Sequence, residues 1–320
     1  MTASALVADI GGTNCRLAIA SPGARAPRLQ NLKVVPTPRG DLQETLKQYL
    51  LESQCRRPDV IAVAAAGRVH HGESGASVAL TNAGLMIEQT SLDHFACTRS
   101  FLINDLAAVA ACIPMLQAAD MMPLGQAIAQ INGPKLVLGL GTGMGASMLT
   151  QAGEVIETEA GHIDLAAVSA EERDLIDAIS SGNRLSAEQV LSGPGLVRLH
   201  AAISGHADIQ IEALLDACRA QDPAAVRSLQ VFSRWLGRVA GNLVLSLGAW
   251  GGVYFTGGVA RGISELLDRK AMREGFEDKA PFGADMRKVA TRIIVHDQPA
   301  LLGLAGLAFP AGPAQMSETN

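Results

Sequence analysis

Three glycine-containing segments, each at the end of an apolar run, carry residue types that can hold phosphate. They are Asp9-Ile10-Gly11-Gly12-Thr13, Gly139-Leu140-Gly141-Thr142-Gly143-Met144-Gly145 and Thr256-Gly257-Gly258. Because glycine has no Cβ atom, backbone N–H groups in such turns can approach phosphate oxygens, and the hydroxyl of Thr13 adds a donor. The Asp9 carboxylate is suited to Mg²⁺, directly or through its waters. An ordinary hairpin turn is the alternative for the first segment, but the three together favour phosphate binding.

The elements that follow these turns argue against two common phosphate-binding loops. A P-loop requires G-x-x-x-x-G-K-[ST], and a dinucleotide-binding fold requires a G-x-G-x-x-G segment that opens a helix. Return strands are predicted here after the first two turns, at Arg16–Ala20 and Ala146–Thr150. These return strands count against both of those loops.

The pair Asn104-Asp105 is the candidate for acid–base chemistry. It follows a predicted strand, Ser100–Ile103, and precedes a predicted helix, Leu106–Cys112. Asn and Asp are favoured as helix caps, so capping is one interpretation. The other is that Asp105 is a general base and that Asn104 orients the same ligand hydroxyl. The two interpretations are compatible, because a carboxylate at a helix start is also fixed in position.

Two further segments carry carboxylates, and the first of them pairs its carboxylate with a histidine, an arrangement that suits hydrogen bonds to vicinal hydroxyls. Glu159-Ala160-Gly161-His162 is a loop of small residues, and His162 has the alternative of being a half-buried histidine without a ligand. Ser186-Ala187-Glu188-Gln189 is a capping box, in which Glu188 also gains from the helix dipole.

Composition excludes several classes of function. Asp and Glu number 31 against 26 Lys and Arg, a net charge of −5, which argues against nucleic acid as the main partner. Apolar runs such as Val60–Ala66 are too short to span a membrane, and we read no export signal. The five cysteines are scattered, which fits a reducing cytoplasm without disulfides or zinc. Only 3% of residues are aromatic, so a polar ligand must be held mainly by hydrogen bonds.

Short apolar runs alternate with helical patterns, which predicts an α/β fold. The strand–glycine turn–strand unit occurs twice, around Gly11 and around Gly141, and suggests two related half-molecules. The segment Gly67–Ser77, rich in Gly, His and Ser, is predicted as a loop. The remaining predicted strands are Leu6–Ile10, Asn31–Thr37, Val60–Ala66, Lys135–Gly139, Gly251–Phe255 and Arg292–Val295, and the remaining helices start after Asp41, after Asp222, near Ala260 and at Leu301.

Taken in order, these segments resemble the bacterial ATP-dependent glucokinases of the hexokinase–actin fold superfamily. The resemblance implies an α/β, two-domain hexokinase/actin-like (ribonuclease H-like) fold with a cleft between the domains. The implied small domain is 1–112 plus 298–320, and the implied large domain is 113–297. The segments that carry the resemblance are Ala8–Arg16, Ile103–Ala110, Gly139–Gly145, Glu159–Asp164, Ser186–Gly195, Thr256–Gly258, Phe276–Lys279 and Ile294–Asp297.

The resemblance also implies a role for each candidate residue. Asp105 takes the proton from the 6-hydroxyl of glucose or a related hexose, and the protein is a homodimer. The residues implied to bind the sugar are Asn104, Asp105, Gly143, Glu159, His162 and Glu188. Those implied to cradle ATP are Ala8, Asp9, Ile10, Gly11, Gly12, Thr13, Gly141, Thr142, Gly143, Gly257 and Gly258.

Two segments depart from the family pattern and keep alternatives open. Gly67–Glu73 lacks the aspartate usual there and carries His70 and His71, for which a solvated pair is favoured over a metal site. After Thr81-Asn82, the run Ala83–Met86 replaces an expected tryptophan. The alternatives are a kinase for a different hexose or amino sugar, and a non-catalytic sugar-binding regulator of the same fold. Joint retention of the carboxylates argues against the regulator.

Overall fold

The structure is a computed structural model that describes residues 3–55, 57–80, 83–96, 98–126, 131–206 and 209–310. Thr81-Asn82 and the end of the predicted small domain beyond residue 310 lie outside this range. The strands are β1 (Ala5–Ile10), β2 (Asn14–Ser21), β3 (Arg28–Pro36), β4 (Val60–Ala65), β5 (Val69–Gly72), β6 (Gly75–Leu80), β7 (Leu85–Glu88), β8 (Arg99–Asn104), β9 (Met121–Pro123), β10 (Lys135–Leu140), β11 (Met144–Leu149), β12 (Val155–Thr158), β13 (Val253–Thr256) and β14 (Thr291–Ile294). The helices are α1 (Leu42–Glu52), α2 (Gln89–Asp93), α3 (Asp105–Cys112), α4 (Ala170–Ser180), α5 (Ala187–Val190), α6 (Gly193–Ser204), α7 (Ile211–Arg219), α8 (Pro223–Leu247), α9 (Gly258–Gly262), α10 (Arg269–Glu277), α11 (Gly283–Met286) and α12 (Pro299–Ala308).

The chain divides into two compact units. The first, here the terminal unit, comprises residues 1–117 together with 296–320, and the second, here the middle unit, comprises 118–295. The C-terminal helix α12 joins the terminal unit because it packs on α3, β1 and β4. That packing is close: a Cβ atom at Gly303 would lie 1.8 Å from the carbonyl oxygen of Ala108. Glycine is therefore required where α12 crosses α3.

The main sheet of the terminal unit has the order β3-β2-β1-β4-β8. Strand β2 pairs antiparallel with both β3 and β1, whereas β1, β4 and β8 run parallel to one another. All six residues of β4 are buried, as expected for a central strand covered on both faces. The parallel arrangement brings the carboxyl ends of β1, β4 and β8 to one edge, where Asp9 and Asn104-Asp105 lie.

The sheet of the middle unit repeats that arrangement and adds one strand. Its order is β12-β11-β10-β13-β14-β9, with β12, β11 and β10 antiparallel, β10, β13 and β14 parallel, and β9 antiparallel to β14. Both predicted strand–turn–strand units are confirmed as hairpins at matching places in the two sheets. Helix α8 packs against α10, and Trp235, Phe232 and Phe276 are fully buried in that core.

The predicted loop at Gly67–Ser77 is wrong. Strands β5 and β6 form there, and with β7 they make a three-stranded antiparallel sheet. In β6 the residues Ala76, Val78 and Leu80 are buried while their neighbours are more exposed. This alternation has the period of a strand, but small and polar side chains obscure it in the sequence. Helix α9 also begins two residues earlier than predicted, at Gly258.

Within the described ranges, no helix combines the length and apolar character required to cross a membrane.

Candidate active site

The first glycine turn joins β1 to β2 and places Asp9 beside it. The Gly11 amide donates to the carbonyl of Asn14 at 2.9 Å, which closes the turn. Asp9 pairs across the hairpin with Arg16, whose Nη1 lies 3.2 Å from Asp9 Oδ2. Burial raises the pKa of the Asp9 carboxyl, and the charge of Arg16 opposes this. Ala8 and Ile10 are fully buried, so the exposed part of this segment is the turn itself.

Asn104 caps helix α3, and Asp105 is the residue that follows it. Asn104 is the N-cap of α3, because its Oδ1 accepts from the amides of Leu106 at 2.9 Å and Ala107 at 3.3 Å. Its Nδ2 donates to the carbonyl of Gly67 at 3.0 Å. Asp105 is the first residue of α3, and its Oδ1 accepts from the Leu106 amide at 2.9 Å. Capping therefore falls to Asn104, and the Asp105 carboxylate is held at the helix start.

The electrostatic setting of Asp105 suits a base. Burial is the main reason that its pKa is raised to about 6, and the negative charge of Asp9 adds to the effect. Hydrogen bonds from the backbone and from Asn104 lower the pKa in part. A carboxylate with a pKa near 6 is mostly ionised at neutral pH and accepts a proton more readily than an ordinary aspartate. Such a perturbed carboxyl is typical of functional sites.

In the middle unit the predicted hydroxyl-binding residues lie together. His162 Nε2 is 4.0 Å from Glu159 Oε2, and His162 Nδ1 is 3.9 Å from Glu188 Oε1. About 60% of the side chains of Glu159 and His162 and 36% of that of Glu188 remain exposed, so all three can reach a ligand. The predicted capping box at the start of α5 is confirmed: Ser186 and Gln189 exchange bonds between side chain and backbone.

Arg184 fastens the loop that carries His162, and sequence reasoning did not find it. Its guanidinium donates to the carboxylate of Asp164 and to the carbonyl oxygen of His162. The contact is created by a bridge between Asp164 and Ser186, which are far apart in the chain. No motif marks Arg184, so only the tertiary structure reveals it.

Gly143 belongs to the turn between β10 and β11 and contacts Glu188. A Cβ atom at Gly143 would stand 2.3 Å from Glu188 Oε2. That oxygen also accepts a hydrogen bond from the Met144 amide at 3.2 Å. By contrast, a Cβ at Gly141 would meet no atom of the protein within 4 Å. A side chain would therefore not fit at Gly143, because the Glu188 carboxylate fills the space, whereas Gly141 borders open space.

The third glycine turn lies at the same sheet edge as the second. Residues Gly139 and Thr256 are paired on the parallel strands β10 and β13. Gly257 has φ 97° and is the N-cap of α9, and a Cβ there would lie 2.3 Å from the Leu140 carbonyl oxygen. Only glycine fits that conformation and that approach. The structure thus brings Gly141–Gly143 and Gly257-Gly258 together.

The Asp9 carboxylate is a suitable donor for Mg²⁺ at this site. Among the residues with described structure, no group of three or more His, Cys, Asp or Glu side chains is arranged to hold a metal. Asp9 is a single carboxylate beside a phosphate-type turn, and Mg²⁺ commonly takes one or two carboxylates together with substrate phosphates. His70 and His71 are adjacent exposed residues of β5 and so point to opposite faces, which agrees with a solvated pair.

Comparison with known proteins identifies the family. Residues 6–310 match the family model described as Glucokinase. The chain belongs to the glucokinase family. A glucokinase of Nitrobacter hamburgensis is 36% identical over 96% of this chain and 98% of its own length. A glucokinase of Caulobacter vibrioides is 33% identical, covering 98% and 97%.

Solved structures agree with this assignment. A glucokinase from an Antarctic psychrotroph superposes with a TM-score of 0.86 at 28% identity, covering 96% of this chain and 99% of that one. A glucokinase from Balamuthia mandrillaris, solved in complex with glucose, has a TM-score of 0.75 at 21% identity, covering 95% of this chain and 92% of that one. This second structure shows the shared fold. The predicted hexokinase/actin-like fold class is confirmed, and this member of the glucokinase family is an ATP-dependent hexose kinase.

Proposed function

We propose that this glucokinase-family protein transfers the γ-phosphoryl group of MgATP to the 6-hydroxyl of glucose, with Asp105 as the general base. The observation that carries the base assignment is the placement of Asp105 at the start of α3, with a pKa raised to about 6. Asp105 lies at the edge of the sheet where the carboxyl end of β1 places Asp9 and the Gly11-Gly12-Thr13 turn. Asp105 accepts the proton of the hydroxyl as the sugar oxygen forms a bond to the γ-phosphorus. The bond between the γ-phosphorus and the bridging oxygen breaks, and ADP leaves with that oxygen and the electron pair.

The sugar is held by hydrogen bonds from the middle unit. Glu159 and Glu188 accept from sugar hydroxyls, and His162 lies within 4.0 Å of both carboxylates, where it can share the same hydroxyls. Hydrogen bonds to charged groups contribute more than neutral ones. Arg184 keeps the backbone at His162 in place. Asn104 fixes the backbone next to the base through its hydrogen bonds with α3 and Gly67.

The nucleotide is held by the three glycine turns, and Asp9 holds Mg²⁺ directly or through water. When bound, Mg²⁺ neutralises part of the charge on the phosphates. Positioning and charge stabilisation are the main demands of phosphoryl transfer. The N–H groups of Gly11 and Gly141 donate within their own turns, to the carbonyls of Asn14 and Gly143, so the turns offer the phosphates the N–H groups that follow, at Gly12-Thr13 and Thr142-Gly143, together with those of Gly257-Gly258. A Cβ atom at Gly141 or Gly258 would meet no protein atom within 4 Å, which leaves room for the phosphates there.

The same proposal includes the domain organisation and the cellular setting. The domains 1–112 with 298–320, and 113–297, are supported by the two compact units, whose boundaries fall within a few residues of these. We also propose a cytoplasmic homodimer that acts on a free sugar rather than on nucleic acid or at a membrane.

A second candidate is a kinase for a different hexose or an amino sugar. One contact favours it: Asn104 donates to the carbonyl of Gly67, and Gly67 begins the segment that departs from the family pattern. The altered segment is therefore bonded to the residue that precedes the base.

The deciding experiment measures ADP release with glucose, mannose, fructose, glucosamine and N-acetylated sugars, for the wild type and for Asp105→Asn. We expect glucose to be the best acceptor and the variant to lose at least about a hundredfold in kcat while it still binds sugar. Glu88→Gln, an exposed carboxylate of the same unit, is the matched control and should leave kcat unchanged. Unchanged turnover in Asp105→Asn would remove the base assignment. A preference for another sugar would establish the second candidate.

A further inference from the structure

The segment that follows β3 is bonded to the first glycine turn at two points. The backbone N–H of Thr37 donates to the carbonyl of Thr13 at 2.9 Å. The hydroxyl of Thr37 donates to the carbonyl of Gly11 at 2.6 Å. Thr37 thus holds both sides of the turn that the proposed function assigns to ATP. We propose that Thr37 is a positioning residue that sets this turn in the shape required by the phosphates of ATP. The inference rests on the proposed function.

The direction of these bonds explains how Thr37 acts. Peptide groups are planar and trans, so a carbonyl and the following N–H point in opposite directions. Because the Gly11 carbonyl points to Thr37, the N–H of Gly12 points away from it. The Thr13 carbonyl and the N–H of Asn14 are related in the same way. A phosphate is attracted by N–H groups and repelled by carbonyl oxygens. Thr37 therefore turns two repulsive groups away from the face that receives the anion.

The neighbours of Thr37 make it a stiff support. Pro36 and Pro38 have fixed φ angles and no backbone N–H, so within this tripeptide only Thr37 has an N–H, and that group is the one used. A residue before proline is also restricted to extended conformations, which limits the alternatives open to Thr37. Little conformational entropy is lost when this segment is placed against the turn.

The middle unit shows the same arrangement with different residues. Gly141 occupies in the β10–β11 hairpin the place that Gly11 occupies in the β1–β2 hairpin. The carbonyl of Gly141 accepts from the amide of Gly193, the first residue of α6, at 2.9 Å. In both hairpins the carbonyl of the first glycine is thus held by a group from outside the hairpin. The two units thus fix the carbonyl of the first glycine with different donors, the Thr37 hydroxyl in one and the Gly193 amide in the other. This recurrence supports a role for Thr37 beyond stability.

The test compares Thr37→Val, which keeps the shape and loses the hydroxyl, with Thr37→Ser, which keeps the hydroxyl. The matched control is Thr45→Val, a similar change in α1 of the same unit. The measurements are the dissociation constant of MgATP by calorimetry, KM and kcat with glucose, the dissociation constant of glucose alone, and the melting temperature. For Thr37→Val we expect the dissociation constant and KM for MgATP to rise about three- to tenfold, the usual weight of one hydrogen bond. Glucose binding should not change, and Thr37→Ser and Thr45→Val should behave as the wild type.

The outcomes separate this inference from the proposed function. If the wild type phosphorylates glucose and Thr37→Val binds MgATP as the wild type does, the positioning role is wrong. Equal losses in Thr37→Val and Thr37→Ser, or a loss of glucose affinity in parallel with the melting temperature, also overturn it. If the wild type binds MgATP but phosphorylates no sugar, the proposed function fails, and weaker MgATP binding by Thr37→Val still supports the inference. Should Thr37→Val not fold, Thr37→Ala is measured in its place with the same expectation.

Discussion

Replacing Gly143 by alanine should weaken sugar binding through Glu188. The added Cβ would stand 2.3 Å from Glu188 Oε2, whereas ordinary contact begins near 3.4 Å. The carboxylate must therefore retreat by about 1 Å and give up the hydrogen bond from the Met144 amide, now 3.2 Å long. The backbone at Gly143 is outside the left-handed region, so alanine itself introduces no strain there. The expected effect is on the position of the carboxylate.

The magnitude follows from the hydrogen bond between the Glu188 carboxylate and a sugar hydroxyl, which the displaced carboxylate no longer makes. A hydrogen bond to a charged group contributes about 1.5–3 kcal/mol. Because 36% of the Glu188 side chain is exposed to water, the lower part of that range applies, about 1.5–2 kcal/mol. The dissociation constant of glucose should rise about 10- to 30-fold. The KM for MgATP should change much less, since the methyl group points at the carboxylate.

The assay is calorimetric titration of glucose into four proteins: the wild type, Gly143→Ala, Glu188→Ala and the double variant. Removing the Glu188 carboxylate removes the atoms that clash, so Gly143→Ala should have little further effect in that background. The coupling between the two changes then equals most of the effect of Gly143→Ala alone. Gly262→Ala is the control glycine, because the nearest atom to its added Cβ is 3.8 Å away. Additive losses in the double variant, or a large rise in KM for MgATP with normal glucose binding, would refute the reasoning.

Two further predictions concern the ionisation of Asp105. Since only the ionised carboxylate can accept a proton, kcat/KM should fall about tenfold per pH unit below the pKa near 6, and an acidic limb near pH 4 in the pH–rate profile would contradict the assignment. The ordinary aspartate pKa of 3.8 lies below the pKa of about 6 that Asp105 has in the folded protein. The carboxyl therefore favours folding only when it is protonated. This contribution to stability is lost as the pH rises through 6. Asp105→Asn should therefore raise the free energy of unfolding at pH 7.5 by about 2–3 kcal/mol, a gain that shrinks as the pH falls toward 4. Urea denaturation at pH 7.5 and pH 4.5 measures this, and a gain that is the same at both values would show that another cause is responsible.

The sequence by itself determined the features that depend on neighbouring residues. The first two glycine turns with their flanking strands and the capping box at Ser186 follow from local preferences, and the structure confirms each of them. The helix predicted from Leu106 begins one residue earlier, at Asp105. The order of these segments also identified the family. The β5–β6 hairpin was missed because its small and polar side chains hide the alternation of buried and exposed positions.

The tertiary structure decided how the candidate residues are held and charged. The Thr37 hydroxyl reaches Gly11 across 26 positions of the chain, and the Met144 amide reaches Glu188 across 44. Arg184 contacts the His162 loop only because a bridge joins two distant segments. The raised pKa of Asp105 depends on burial and on Asp9, which lies two strands away in the sheet. Such contacts are set by the pairing of strands and the packing of side chains, which no local pattern of residues specifies.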